Sequence, residues 1–100
     1  MSWENILKND LSELKTSLER FIEPIEGKEY VDLMLETARS MGLSTYLRKM
    51  IKSYQGDIKD IKNRLRGIDN DSEEGQKLLR EKNGFERHLY DLYEMQERLA

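Results

Sequence analysis

The feature that most constrains this chain is a rhythm of apolar residues advancing by alternate steps of four and three. Near the start it runs through Leu7, Leu11, Leu14, Leu18, Phe21 and Ile25. In the second half it runs through Leu47, Ile51, Tyr54, Ile58, Ile61, Leu65 and Ile68. A period of 3.5 puts these side chains on one stripe of an α-helix, the stripe by which helices pack side by side. The rhythm predicts an all-α chain, a small bundle of three to four helices that closes with an antiparallel, coiled-coil-like hairpin.

Breaker and cap residues divide this single domain of residues 1–100 into four helices. The first spans 1–26, with Ser2 able to cap its start. Pro24 marks its end, because proline lacks an amide donor and disfavours helix in the residue before it; Gly27 allows the turn. A short second helix, 28–42, carries Val31, Met34, Leu35, Ala38 and Met41 on one face, with Gly42 as a left-handed stop. The third, 44–67, is capped by Ser44 and closed by Gly67. A short loop over Asp69-Asn70-Asp71-Ser72 leads to the fourth, 71–99, where Asp71 and Glu74 resemble a capping box. The fourth seam is Leu78, Phe85, Leu89, Leu92 and Leu99, interrupted by Lys82 and Gln96.

Helices joined by a short loop run antiparallel. Pairing residues whose numbers sum to 143 sets Leu65 against Leu78, Ile58 against Phe85, Tyr54 against Leu89 and Ile51 against Leu92. The same register brings Arg64 near Glu81 and Asp57 near His88. Gly56 and Gly84 fall inside helical patterns, where each costs about 1 kcal/mol against alanine. Close approach by another helix would explain both; local softness is the alternative.

Several chemistries lack their residues. The absence of cysteine rules out disulfides, zinc–thiolate sites, iron–sulfur clusters and a cysteine nucleophile. The glycines are isolated, so no phosphate loop is present. His88 is the only histidine, and a surface ion pair with Asp57 is expected of it rather than base catalysis. The stretch from Asp69 to Gly75 fails as a calcium loop, since its sixth position is Glu74 and its twelfth Arg80. No Glu-x-x-His pattern supports a carboxylate-bridged metal. The expectation is a protein that is not an enzyme, with no catalytic residue, cofactor, metal or small-molecule substrate. Residues Met1 to Lys8 form no signal peptide and no apolar run spans a membrane, which predicts a soluble, cytoplasmic protein. Trp3, with Ile6 and Leu7, has acidic flanks that oppose adsorption to anionic lipid, so no membrane partner is expected.

Two partner classes remain. The apolar surface along the first and fourth helices exceeds what a two-helix hairpin can bury. Trp3, Leu7, Leu11, Leu14, Leu18, Phe21, Leu79, Tyr90, Tyr93 and Met95 are candidate partner contacts. They point to an interaction or assembly module that binds protein, itself or another helical chain. The alternative is a small nucleic-acid-binding regulator. Residues 43–68 hold seven basic and two acidic side chains, a local net charge of +5 in a chain of net charge −3. Arg48, Lys52, Lys59, Lys62 and Arg66 fall on one outer side of the third helix and span roughly 27 Å. The plainer reading is that acidic neighbours in the bundle neutralise this face.

Two short resemblances accompany these readings. The opening MSWENILK resembles the starts of many small uncharacterised proteins of marine microbes and their viruses. It fits a viral accessory or structural protein and implies no activity. Ala38-Arg39-Ser40-Met41-Gly42-Leu43-Ser44-Thr45-Tyr46-Leu47-Arg48-Lys49-Met50-Ile51 resembles the helix–turn–helix part of ribbon-helix-helix repressors. Two residues usual in that turn are missing, and no alternating strand precedes it. That strand is what such repressors use to read DNA, so the resemblance implies a helix pair and no base-reading site.

Overall fold

The computed structural model describes residues 11–99, which form four helices and no strand. They are labelled α1 (residues 11–26), α2 (Lys28–Met41), α3 (Leu43–Leu65) and α4 (Glu73–Leu99). The small all-α bundle and its closing hairpin are as the apolar rhythm predicts. α3 and α4 make the most extensive helix pair in the molecule.

The α3 seam is buried along the helix at Leu47, Ile51, Tyr54, Ile58 and Ile61, and Leu65 and Ile68 are partly covered. Ile58 and Phe85 share one core at mid-hairpin. The Tyr54 ring centroid lies 5.6 Å from that of Phe85 and 5.0 Å from that of His88. Gln55 donates a hydrogen bond to the Tyr93 hydroxyl. These contacts set an antiparallel register within about one helical turn of the expected one. One expected flank pair is absent: Arg64 bonds Asp60 on its own helix at 3.4 Å rather than Glu81. A partner one turn away needs no second helix to bring it into place.

α4 is buried over a wider arc than a two-helix seam requires. Leu78, Phe85 and Leu92 face α3, and His88 and Met95 are enclosed as well. The extra cover comes from α1, which folds back over α4 and α2. Leu14, Leu18 and Ile22 on α1 are fully buried. This stretch of the first helix's seam therefore packs inside the bundle.

The heptad pattern predicts Phe21 in that seam, yet the structure encloses Ile22 and leaves Phe21 half-buried. The cause is a π turn, Leu18–Ile22, in which the Glu23 amide bonds the Leu18 carbonyl. A wider turn adds one residue and rotates the helix beyond it, so the core position passes from Phe21 to Ile22. Pro24 accounts for the turn's place. In a regular helix its ring would press on the Arg20 carbonyl, which would also lose its donor. With the turn widened, the helix continues past Pro24 and stops at Gly27.

The helix ends also differ in detail from expectation. Gly27 and Gly42 have φ of +92° and +88°, a region that side-chain-bearing residues rarely enter. Gly42 closes α2 and opens α3, where Tyr46 N–H reaches its carbonyl at 3.0 Å. α3 thus begins at Leu43 with no side-chain cap, and Ser44 lies inside the first turn. Gly67 is not left-handed, and α3 ends before it at Leu65. The cap of α4 is Ser72 rather than Asp71, because Ser72 Oγ accepts the Gly75 amide at 3.0 Å. Asp69 Oδ1 accepts the Asp71 amide instead. The helix–turn–helix likeness around residues 38–51 corresponds to the α2–α3 joint, with no strand before it among the described residues.

Of the two mid-helix glycines, only Gly84 meets another helix. A Cβ there would lie 2.7 Å from Ile25 Cδ1 and 2.9 Å from the Phe21 carbonyl oxygen, whereas one at Gly56 would meet nothing within 4 Å. The same substitution should therefore act with opposite signs in urea unfolding. G84A should lose about 1–2 kcal/mol through overpacking. G56A should gain about 0.5–1 kcal/mol through lower unfolded-state entropy and better helix propensity.

Candidate nucleic-acid interface

Arg48, Lys52, Lys59, Lys62 and Arg66 are all exposed along one flank of α3 and its C-terminal edge. Helical spacing puts them about 100° from the buried seam. None of them has an ion pair among the described residues. The acidic residues within α3 are Asp57 and Asp60, and spacing places both on the other flank. Asp60 is bonded to Arg64. Burial first, and then its neighbour Asp60, raise the Asp57 carboxyl above its ordinary pKa. Among the described residues, no acidic side chain forms an ion pair with the basic flank.

An aromatic ring completes this surface. Tyr93 of α4 is 42 % exposed, its hydroxyl accepts from Gln55 on the basic flank, and it shares a shallow groove with Arg48. Cations in a row with an adjoining exposed ring make a surface suited to phosphates and to a stacked base.

The residues expected to meet a protein partner are dispersed. Leu14, Leu18 and Met95 are in the core, Leu11 and Phe21 lie half-buried at its margin, and Leu79 is half-buried. Tyr90, at 64 %, and Tyr93 are exposed. Trp3 and Leu7 lie outside the described residues. Three core positions are thus removed from the expected contact surface, because α1 seats against α4.

His88 is not at the surface and does not bond Asp57. It is fully buried, under α1, with its ring edge-on to Tyr54. Ser17 Oγ lies 2.8 Å from His88 Nδ1 and donates to Asp91 Oδ2 at 2.6 Å. Serine has one hydroxyl proton, already given to Asp91, so Nδ1–H of a neutral imidazole must be the donor to Ser17. Burial lowers the His88 pKa to about 4. Sequence order alone does not join residues 17, 88 and 91; the one available signal is that a lone histidine and Ser17 each sit one residue from an apolar position. The same three residue types make hydrolytic triads, but here serine lies between aspartate and histidine. A triad needs the histidine to take the serine proton while the aspartate orients its other nitrogen. His88 Nε2 is instead buried with no hydrogen bond among the described residues, as is the Tyr46 hydroxyl. Burial raises the Tyr46 and Tyr54 hydroxyl pKa values, and the Tyr54 hydroxyl lies 3.5 Å from that of Tyr30.

A second groove, about 530 Å³, runs between α1 and the first half of α4. Phe21, Pro24 and Ile25 line it beside Arg80 and Arg87, and the Arg20 guanidinium covers the Phe21 ring at 5.7 Å. Among the described residues no group of three or more carboxylate or imidazole side chains is placed to hold a metal ion. No described helix is long and apolar enough to cross a membrane. Comparison with protein-family models, curated proteins and solved structures finds no match to this chain.

The buried imidazole makes stability depend on pH. Unfolding restores His88 to an ordinary pKa near 6.5. The unfolded chain then binds the extra proton between about pH 6.5 and 4. Stability from this group is complete above that window and is lost as pH falls through it, on the order of 3 kcal/mol in all. Urea titrations at pH 7 and pH 4.5 should show a larger acid loss for the wild type than for H88F. Equal losses would mean that His88 is not buried neutral.

Proposed function

We propose that this chain is a non-enzymatic helical module that binds nucleic acid along the outer flank of α3. The observation that carries this reading is the row of five exposed cations, running from Arg48 to Arg66, that have no ion pair among the described residues. Like charges held in line repel one another, and an external polyanion relieves that repulsion. At 1.5 Å per residue the row spans about 27 Å, enough for several phosphates along one strand or groove edge. Such contacts supply affinity and orientation rather than sequence reading. Tyr93, standing at the edge of the row, offers a face for one base, which favours a single strand. A nucleic-acid partner also accords with the cytoplasmic setting expected from the sequence.

The broader assembly reading draws on surplus apolar surface, and the burial of Leu14, Leu18 and Met95 takes away much of that surplus. The large apolar side chains still exposed are Tyr90, Tyr93 and Leu99 on α4 and Leu33 on α2.

Fluorescence anisotropy with labelled single-stranded RNA, single-stranded DNA and duplex DNA tests the proposal. Five phosphate contacts give a log–log salt slope of about −4.5 on duplex DNA and about −3.5 on single strands. K52E/K59E/K62E should flatten that slope by about two to three and abolish binding at about 200 mM salt. Tyr93→Ala should weaken single strands by roughly tenfold and leave duplex binding little changed. No binding of any probe at about 50 mM salt would end this reading.

A further inference from the structure

α4 carries a second regular stripe on the side away from the core. Arg80, Asn83, Arg87, Tyr90, Glu94 and Glu97 advance by steps of three and four, and all six are exposed. The four charged members have no ion pair among the described residues. Charge is sorted along the stripe, with both arginines in its first half and both glutamates in its second.

We infer that this stripe is a self-recognition surface, on which α4 of a second copy lies antiparallel across a two-fold axis. The ordering of charge selects both partner and direction. In the antiparallel arrangement Arg80 meets Glu97 of the second copy, Asn83 meets its Glu94, and Arg87 meets the ring of its Tyr90. The two-fold repeats each contact, as an isologous interface requires. A parallel arrangement would set arginine on arginine and glutamate on glutamate. The six positions keep the spacing that lets two helices stay in contact over nearly five turns. Beside the arginine half lies the α1 groove floored by Pro24 and Ile25, apolar surface that an approaching helix covers.

The stripe lies close to the opposite side of α4 from the residues that face α3, by helical spacing. Self-pairing there leaves Lys52, Lys59, Lys62 and Arg66 open; only its Glu97 end adjoins the groove of Arg48 and Tyr93, so the self-pairing test is read without nucleic acid. A contact made mainly of exposed charge is weak and salt-sensitive. Dimers are expected at high micromolar concentration in dilute buffer and should dissociate in about 0.5 M salt.

Charge reversal tests both partner and direction, using sedimentation of the full chain without nucleic acid. R80E alone places four glutamates at the two ends of the pair, and E97R alone places four arginines there. Each variant should dimerise at least about tenfold more weakly than the wild type. Mixed one to one, they should form a heterodimer. The reversed charge at position 80 of one chain then faces the reversed charge at position 97 of the other, and the unaltered Glu97 and Arg80 face each other at the far end. R80E/E97R in one chain should restore the homodimer. Circular dichroism checks that each variant remains helical, and a milder reversal of the same pair, R80D with E97K, repeats the test should R80E fail to fold. A wild type that stays monomeric at millimolar concentration in low salt would overturn the inference. So would single variants that dimerise as the wild type does, or a mixture that fails to pair.

Discussion

The approach of α1 to α4 at Gly84 decides what is inside this protein and what is out. There a helix backbone comes so near that a single added methyl would strike the Phe21 carbonyl oxygen. Seated at that distance, α1 places Leu14, Leu18 and Ile22 in the core and encloses His88 and Met95. Removed, it would leave α4 with apolar surface on two sides, and a two-helix hairpin of this length has little margin to tolerate that. The exposed surfaces on α3 and α4 are those that remain once this contact is made.

Charge is arranged around that core by helix rather than by net balance. The chain is acidic overall, yet residues 43–68 carry a net charge of +5. Among the described residues, ion pairs do not cancel this excess. Arg64 pairs within its own helix, and Arg98 makes a two-pronged bond to Glu13 that lowers the glutamate's pKa. The Arg98 bridge joins α4 to α1 and so ties down the same contact that Gly84 permits. Cations with no ion pair among the described residues gather on one flank of α3, and such a segregated surface acts on charged partners more strongly than the small net charge suggests.

Much of the fold is legible in the sequence because packing obeys periodicity. The residues from Leu47 to Ile61 have no other helical arrangement that buries so many of them at once, and the short loop to α4 leaves the antiparallel register as the compact solution. The first helix is legible as a helix, but its buried face is not legible beyond Leu18. A heptad rule has no place for an inserted residue, and Pro24, instead of stopping the helix, produces a π turn that carries it onward. The polar site is least legible. Ser17 lies 71 residues from His88, and pairing by hairpin register sends His88 to Asp57 because nothing local places α1 over it. The exposed basic row is legible as a row, since exposed positions follow directly from the buried ones. Whether acidic neighbours cover it depends on side-chain reach across helices, which periodicity does not encode.

The buried polar cluster resolves an ambiguity that apolar packing leaves. Leucine and isoleucine on α1 could slide along α4 by a turn with modest change in buried area, because such side chains are largely interchangeable. A serine that accepts from an imidazole and donates to a carboxylate resists sliding, since displacement separates the buried Ser17 and His88 from their hydrogen bond. Ser17, His88 and Asp91 therefore fix the height of α1 on α4, in the way that a buried polar residue sets register between paired helices. That height brings Gly84 opposite Phe21 and Ile25, and it leaves the stripe from Arg80 to Glu97 uncovered. A polar contact in the interior thereby determines which charged surface the protein presents to solvent.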